Sequence, residues 1–137
     1  MAKTVTGTVT WVQGLAFDGK AGSGHEVRLD SAREAGASPL ELVLLGTGAC
    51  SSVDIVSLLK DMQQDVRACR CELTAVRAET DPKVFTQIRF HFFIAGRDLD
   101  ATKVERAIQL SAEKYGSASI MLGRTAQIVH DFTLASS

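Results

Sequence analysis

The sequence is poor in several features that would assign it to a special class of protein. It has three cysteines in 137 residues, and its first residues, MAKTVTGTVTW, contain no apolar run of the kind found in a signal peptide. We therefore expect reduced thiols and a cytoplasmic location.

Charge of one sign is not in excess either. Lys and Arg total 15 against 16 Asp and Glu, so the formal net charge is -1. This balance excludes the strongly basic surface of a nucleic-acid binder.

Patterns for cofactors are also missing. The histidines His25, His91 and His130 are scattered along the chain. Cys69 and Cys71 form a C-x-C pair without further ligands at metal-binding spacing. On a strand both thiols would point to one face, and we interpret them as packed side chains. With no Rossmann fingerprint and no P-loop, neither a metal nor an organic cofactor is expected.

One stretch is longer and more apolar than the others: SPLELVLLGTGACSSVDIVSLLKDM, residues 38–62. Ser38, Pro39 and Glu41 predict a helix start, because Ser caps free N–H groups, Pro fits the first turn and Glu completes a capping box. Apolar residues cover nearly the whole circumference of this helix, so we expect it to lie at the centre of a larger structure.

A membrane-spanning helix is the rival interpretation of residues 38–62. Four charged residues interrupt the run, and a bilayer core would not accept them readily. They are Glu41, Asp54, Lys60 and Asp61. We therefore expect no membrane association.

The middle of the predicted helix is rich in small residues. Gly46 and Gly48 each cost about 1 kcal/mol relative to alanine, so a close approach, a kink or a reactive group that needs room must offset them. Cys50 ends this run, and Asp54 follows one turn later on the same face. Cys50 is either a reactive nucleophile or a buried structural thiol. Asp54 is either a hydrogen-bonded buried carboxylate or a group that tunes Cys50.

The rest of the chain alternates strand and helix patterns. Strands are predicted at 3–12, 15–17, 25–30, 68–79, 84–95 and 126–133. A second helix is predicted from the Asp100 cap to Gly116, followed by a connection at 117–124. In strand 84–95 the apolar residues Ile88, Phe90, Phe92 and Ile94 line one face, and Gln87, Arg89 and His91 line the other.

The order β-β-β-α-β-β-α-β predicts a single α+β domain over residues 1–137, with antiparallel sheets around a long central helix. That helix is too apolar for one small sheet to cover. We therefore expect a second copy of the chain to cover it in a two-fold homodimer.

Three blocks of the sequence resemble the OsmC/Ohr family, most closely its YhfA-like branch. They are SPLELVLLGTGACSSVDIVSLLK, PKVFTQIRFHFFIAG and VERAIQLSAEKYGSASIML. The resemblance implies an intertwined homodimer, in which central helices lie between two sheets and the active sites lie at the subunit interface.

The resemblance also implies a thiol peroxidase for organic hydroperoxides. Cys50 matches the attacking cysteine, whose thiolate becomes a sulfenic acid. In the family a second cysteine, in a Lys-Tyr-Cys-Ser type segment, then forms a disulfide that a dithiol reductant reopens. The corresponding segment here is Lys114-Tyr115-Gly116-Ser117, so Gly116 stands where the resolving thiol would be.

Two further positions depart from the family pattern. The acid that follows the helix-opening proline is replaced by Leu40, and Glu41 lies about 100 degrees further round the helix. The arginine of an N-terminal Arg-Asp-Gly loop would align with Phe17, which leaves Lys20 as the candidate substitute cation.

Two functions are therefore considered. The first is a thiol protein that reduces hydroperoxides through Cys50 in oxidative-stress defence, with weak turnover because small thiols, Cys69 or Cys71 would have to complete the cycle. The second is a non-enzymatic module that binds a small apolar or thiol-bearing ligand in the interface pocket. The expected pocket residues are Phe17, Lys20, Leu40, Tyr115 and Met121. A dimer that has kept no chemistry is the third alternative.

Overall fold

The computed structural model describes residues 2–136, which divide into two compact units, one up to Val43 and one from Leu44 onward. The elements are β1 Gly7–Gln13, β2 Ala16–Ala21, β3 Glu26–Asp30, α1 Pro39–Asp61, β4 Asp65–Arg77, β5 Phe85–Arg97, α2 Ala101–Leu110, a π-helical turn Ser111–Tyr115, α3 Ser117–Leu122 and β6 Gln127–Ser136. The predicted α+β order is confirmed, with one addition. Residues 117–124, predicted as a connection, contain the short helix α3.

The first unit contains an antiparallel sheet in the order β1-β2-β3. Its strands are in register such that Trp11, Phe17 and Leu29 form one row on an apolar face. The neighbouring row on the opposite face contains Asp18 and Arg28, which form an ion pair. The apolar face is open in the single chain.

The second unit contains a three-stranded sheet in the order β4-β5-β6. β4 and β5 form an antiparallel hairpin, whereas β5 and β6 are parallel. The expectation of purely antiparallel sheets is therefore wrong for β6. The connection through α2, the π turn and α3 is long enough to cross over the sheet and return in the parallel direction.

The inner face of this second sheet forms the core of the second unit. The apolar side chains predicted for one face of β5, Ile88, Phe90, Phe92 and Ile94, are each at most 1% exposed. Buried residues of α1 and α2 pack over them. The one-sided burial predicted for this strand is confirmed.

Helix α1 is continuous through its glycines. A Cβ at Gly48 would lie 2.6 Å from Cδ1 of Leu73 on β4, so the close approach of the strand explains this glycine. The predicted capping box is also confirmed. The Ser38 N–H donates to Oε1 of Glu41 at 2.8 Å, and the Glu41 N–H donates to Oγ of Ser38 at 3.2 Å.

Burial of α1 is incomplete in the single chain. Its buried residues are Thr47, Gly48, Ser51, Ile55 and Leu59, whereas Val53 is 67% exposed. Within residues 2–136, α1 is the one helix whose length and composition would allow it to cross a membrane, a test that core helices of soluble proteins also pass. The expectation that a second copy covers α1 stays a prediction.

The second helical region differs from its prediction at the C-terminal end. The Asp100 cap is confirmed, since its carboxylate accepts from the Thr102 N–H at 2.9 Å. The helix then widens into the π turn and ends at Tyr115. Gly116 ends this helical segment, as predicted, with a φ of -74°. Its N–H donates to the Ser111 carbonyl at 2.6 Å.

Candidate functional site

Cys50 lies at the midpoint of α1 as a free, half-buried thiol. Within the described residues 2–136, no hydrogen bond or ion pair involves its side chain. Asp54, Ser57 and Asp61 follow it at four, seven and eleven residues, and this spacing places them along the same helix face. The part of this face that follows Cys50 therefore carries three polar side chains beside the exposed Val53.

Asp54 is held by a contact from the π turn. The Ser111 hydroxyl, which is buried, donates to Oδ2 of Asp54 at 3.1 Å. Asp54 is thus a hydrogen-bonded carboxylate, the first of the two alternatives considered for it, and its influence on Cys50 stays a prediction. The partnership with Ser111 could not be read from the sequence, because no local pattern marks where a helix widens into a π turn.

A cavity of about 290 Å³ opens beside this contact. It is lined by Asp54, Ser57, Leu58, Asp61 and Tyr115. The structure therefore brings together two of the predicted site residues, Asp54 and Tyr115. With two carboxylates and two hydroxyl groups, the cavity is suited to a small polar group.

Gly116, the position at which the family resemblance implies a resolving cysteine, is tightly enclosed. A Cβ there would lie 2.6 Å from the carbonyl oxygen of Ser111 and 2.7 Å from Oγ of Ser119. The π turn is therefore built around a glycine. Met121, a further predicted pocket residue, is 66% exposed on α3.

The remaining predicted site residues belong to the unit that ends at Val43. Phe17 lies on the apolar face of the first sheet, Lys20 is exposed on its opposite face, and Leu40 is half-buried at the start of α1. The Glu41 carboxylate accepts from the Ser38 N–H, and this bond holds the pKa of Glu41 below its usual value. The capping box therefore explains why a glutamate stands at position 41. A catalytic role for Glu41 stays a prediction.

The C-x-C pair packs against a different side of α1. Ser52 lines a cavity together with Cys69, and its hydroxyl donates to the Gly48 carbonyl at 2.8 Å. Burial raises the pKa of Cys69 and raises the pKa of Cys71 to about 11. Because Ser52 lies about 200 degrees round the helix from Cys50, neither thiol is placed to resolve Cys50 of its own chain.

A polar network covers the outer face of the second sheet. The Asp131 carboxylate bonds to Nδ1 of His91 at 2.5 Å and to a guanidinium N–H of Arg89 at 2.7 Å. The other ring nitrogen of His91 lies 2.9 Å from Oγ1 of Thr133. The Arg89 and His91 contacts lower the pKa of Asp131. His91 is therefore a hydrogen-bonded histidine on the polar face of β5.

Across residues 2–136, no three His, Cys, Asp or Glu side chains are grouped so that they could hold a metal ion. The Cys50 face carries a thiol, two carboxyl groups and a hydroxyl group.

Comparison with known proteins assigns the chain to a family. The sequence profile described as OsmC-like protein matches residues 31–131, which include Cys50, Asp54 and Gly116. The chain belongs to the OsmC-like family. Protein YhfA of Escherichia coli (strain K12) is 44% identical over 125 residues, which are 90% of this chain and 93% of YhfA. The resemblance to the YhfA-like branch is thereby confirmed.

Solved structures of other proteins have the same fold. A crystal structure from Aquifex aeolicus VF5 superposes with a TM-score of 0.91 at 25% identity and covers 99% of both chains. An organic hydroperoxide resistance protein, OsmC from Legionella pneumophila, superposes with a TM-score of 0.72 at 16% identity and covers 97% of this chain and 98% of its own. The second likeness shows the shared fold alone.

Proposed function

We propose that this OsmC-like protein is a cytoplasmic homodimeric thiol protein that reduces organic hydroperoxides through Cys50. The observation that carries the proposal is the position of Cys50: a free, half-buried thiol on α1, inside the span that matches the family. Organic hydroperoxide resistance proteins share this fold, and that likeness makes a hydroperoxide the first substrate to test.

The proposed reaction has one chemical step on the protein. The Cys50 thiolate attacks the terminal oxygen of the hydroperoxide, the O–O bond breaks, and the alkoxide takes a proton and leaves as an alcohol. The sulfur atom is oxidised to a sulfenic acid and the hydroperoxide is reduced. Among the described residues 2–136, no hydrogen bond or ion pair to a neighbouring group holds the Cys50 side chain in place for attack, and we expect attack to be slow.

Recycling must use a thiol from outside the chain. Gly116 provides no sulfur, and Cys69 and Cys71 face another side of α1 with raised pKa values. An external dithiol would condense with the sulfenic acid, release water and form a mixed disulfide. Its second sulfur would then displace Cys50 as a free thiol. We expect turnover to be weak for this reason.

The homodimer is supported by apolar surface in each unit. The first sheet presents an apolar face that includes Val9, which is 66% exposed, and α1 presents Val53 in the second unit. A second copy of the chain would cover both kinds of surface. Lipid is a poorer cover for α1, because Asp54, Lys60 and Asp61 lie on the same helix.

The cavity beside Asp54 supports a second candidate, a non-enzymatic binding module. Its volume of about 290 Å³ and its lining of Asp61 and Tyr115 fit a small ligand with polar groups. The sequence led us to expect a small apolar or thiol-bearing ligand, whereas this lining carries carboxyl and hydroxyl groups. In this alternative Cys50 contacts the ligand or stays unreacted.

The two candidates are separated by hydroperoxide consumption. The assay uses an organic hydroperoxide with dithiothreitol or dihydrolipoamide and compares the wild type with Cys50→Ser. Cys69→Ser/Cys71→Ser is the matched control, since it removes two thiols and leaves Cys50. We expect a slow rate that is lost in Cys50→Ser and kept in the control. Equal rates for wild type and Cys50→Ser would favour the binding module.

A further inference from the structure

Strand β6 forms one edge of the second sheet. It pairs with β5 on one side from Gln127 to Ser136. Among the residues that the structure describes, no strand pairs with its other side. An unpaired edge presents a row of N–H and C=O groups that can bind another extended chain.

Two cavities follow this edge and share one side chain, His130. The larger, about 540 Å³, lies between the start of β6 and the preceding segment of helices and turn that contains Glu113, Ile120 and Arg124. The smaller, about 370 Å³, lies between Asp131 and the α2 residues nearby. Together they form a groove, the β6 groove, between residues 127–132 and the helical layer of residues 105–124.

The β6 groove has the features of an extended-peptide site. Its walls are apolar where Ile108 and Phe132 line the smaller cavity and where Ile120 and Ile128 line the larger one. The His130 ring lies edge-on to Phe90 at a centroid distance of 6.5 Å. Alternate side chains of an added strand would face this surface.

The charge in the groove favours a basic partner. Glu105 and Glu113 stand on the helical wall, and within residues 2–136 neither forms an ion pair. Asp131 adds a third carboxylate, already bound to Arg89 on the outer face. Arg124 is the one arginine or lysine that lines the two cavities. Acidic groups therefore outnumber basic ones.

We propose that the β6 groove binds an extended peptide segment of a partner protein, which adds a strand to β6 and places basic side chains beside Glu105 and Glu113. Residues 127–132 would pair with about six residues of the partner, a length of about 20 Å. This proposal is independent of Cys50, so it stands or fails separately from the hydroperoxide chemistry.

The test uses a defined probe, an acetylated and amidated hexapeptide of alternating valine and lysine, titrated into the full chain. Calorimetry measures affinity, and ¹⁵N-resolved NMR shows which backbone amides respond. We expect saturable binding with shifts concentrated in residues 127–132. A valine–glutamate hexapeptide should bind more weakly, and a lysine peptide N-methylated at alternate residues should not bind, because it cannot complete the strand pairing.

Variants test the charge argument without touching the Cys50 face. Glu105→Gln/Glu113→Gln should reduce affinity for the lysine peptide by roughly three- to tenfold, the effect of one or two exposed charge pairs. Glu26→Gln/Glu79→Gln, which changes charge elsewhere, should leave it unchanged. The proposal is overturned if no probe binds, if the N-methylated peptide binds equally well, if the shifts lie outside β6, or if the edge instead pairs copies of this chain.

Discussion

Gly48 sets how closely α1 approaches β4. Glycine is unfavourable in a helix interior by about 1 kcal/mol relative to alanine, but a Cβ here would lie 2.6 Å from Cδ1 of Leu73. We predict that Gly48→Ala lowers the free energy of unfolding by about 1–3 kcal/mol, because overpacking outweighs the gain in helix propensity. Urea unfolding measures the change.

A double-mutant cycle with Leu73→Ala tests the cause of this loss. Removing the leucine branch makes room for the new methyl group, so the cost of Gly48→Ala should shrink in the Leu73→Ala background. A stabilising effect of Gly48→Ala in the wild-type chain would show that the close approach does not constrain the helix.

The three cysteines differ in their surroundings, and this predicts different reactivity. Burial raises the pKa of Cys69 and raises the pKa of Cys71 to about 11. Near neutral pH both should therefore react with iodoacetamide far more slowly than in urea, and Cys71 should accelerate as pH rises toward about 11. Peptide mapping at several pH values measures each rate.

The raised pKa values of Cys69 and Cys71 also predict how the free energy of unfolding changes with pH. A thiol whose pKa is higher in the folded state than in the unfolded state stabilises the fold while it is protonated. This contribution to the free energy of unfolding is lost as pH rises through the unfolded-state pKa toward the folded-state pKa.

Cys50→Ser is the control for the iodoacetamide labelling, because it leaves Cys69 and Cys71 in place. Labelling of Cys71 at the same rate in folded and unfolded protein would contradict the packing described here.

The π turn between α2 and α3 decides what residue 116 can be. Introducing a thiol here by Gly116→Cys would place a Cβ 2.6 Å from the Ser111 carbonyl oxygen. We predict a loss of about 1–3 kcal/mol in the free energy of unfolding, the usual range for overpacking. The loss should be accompanied by disturbance of the Ser111–Asp54 hydrogen bond. Thermal unfolding and NMR of residues 111–116 measure these effects.

Gly116→Ala is the matched control for that substitution, since it adds the Cβ without the sulfur. Both variants should lose similar stability. If Gly116→Cys were as stable as the wild type, the turn would be more adaptable than its contacts indicate.

Elements determined by local signals were predictable, and those determined by packing were not. The capping box of Ser38 and Glu41, the Asp100 cap and the period-two pattern of β5 are all encoded within a few residues. The parallel direction of β6 and the π turn at Ser111 depend on how a crossover packs on the sheet, which no short pattern records.

In the candidate site, too, positions within one element were predictable from the sequence, whereas contacts between elements were not. Helical spacing placed Asp54 on the face of Cys50, and the C-x-C spacing placed Cys69 and Cys71 on one face of β4. The Ser111 contact and the cavity with Tyr115 join segments about 57 residues apart in sequence, so they emerged only from the folded chain.

For the whole molecule, we predict a homodimer that depends on the apolar face of the first sheet. The chain mass is 14.7 kDa, and sedimentation should give twice this value. Val9→Asp places a charge on the apolar face and should weaken the dimer, whereas Thr10→Asp lies on the opposite face of the same strand and should not.

The pair of variants differs by one position along β1, so it separates a face-specific effect from damage to the strand. A monomeric wild type, or equal dissociation of both variants, would contradict the assignment of this face as the subunit contact.

The most direct test of the account is chemical trapping of oxidised Cys50. The reduced protein is treated with an organic hydroperoxide in the absence of any reductant, then with dimedone, and the adducts are located by peptide mass mapping. The account predicts a dimedone adduct on Cys50, with Cys69 and Cys71 unmodified. An unmodified Cys50, or adducts confined to Cys69 and Cys71, would contradict it.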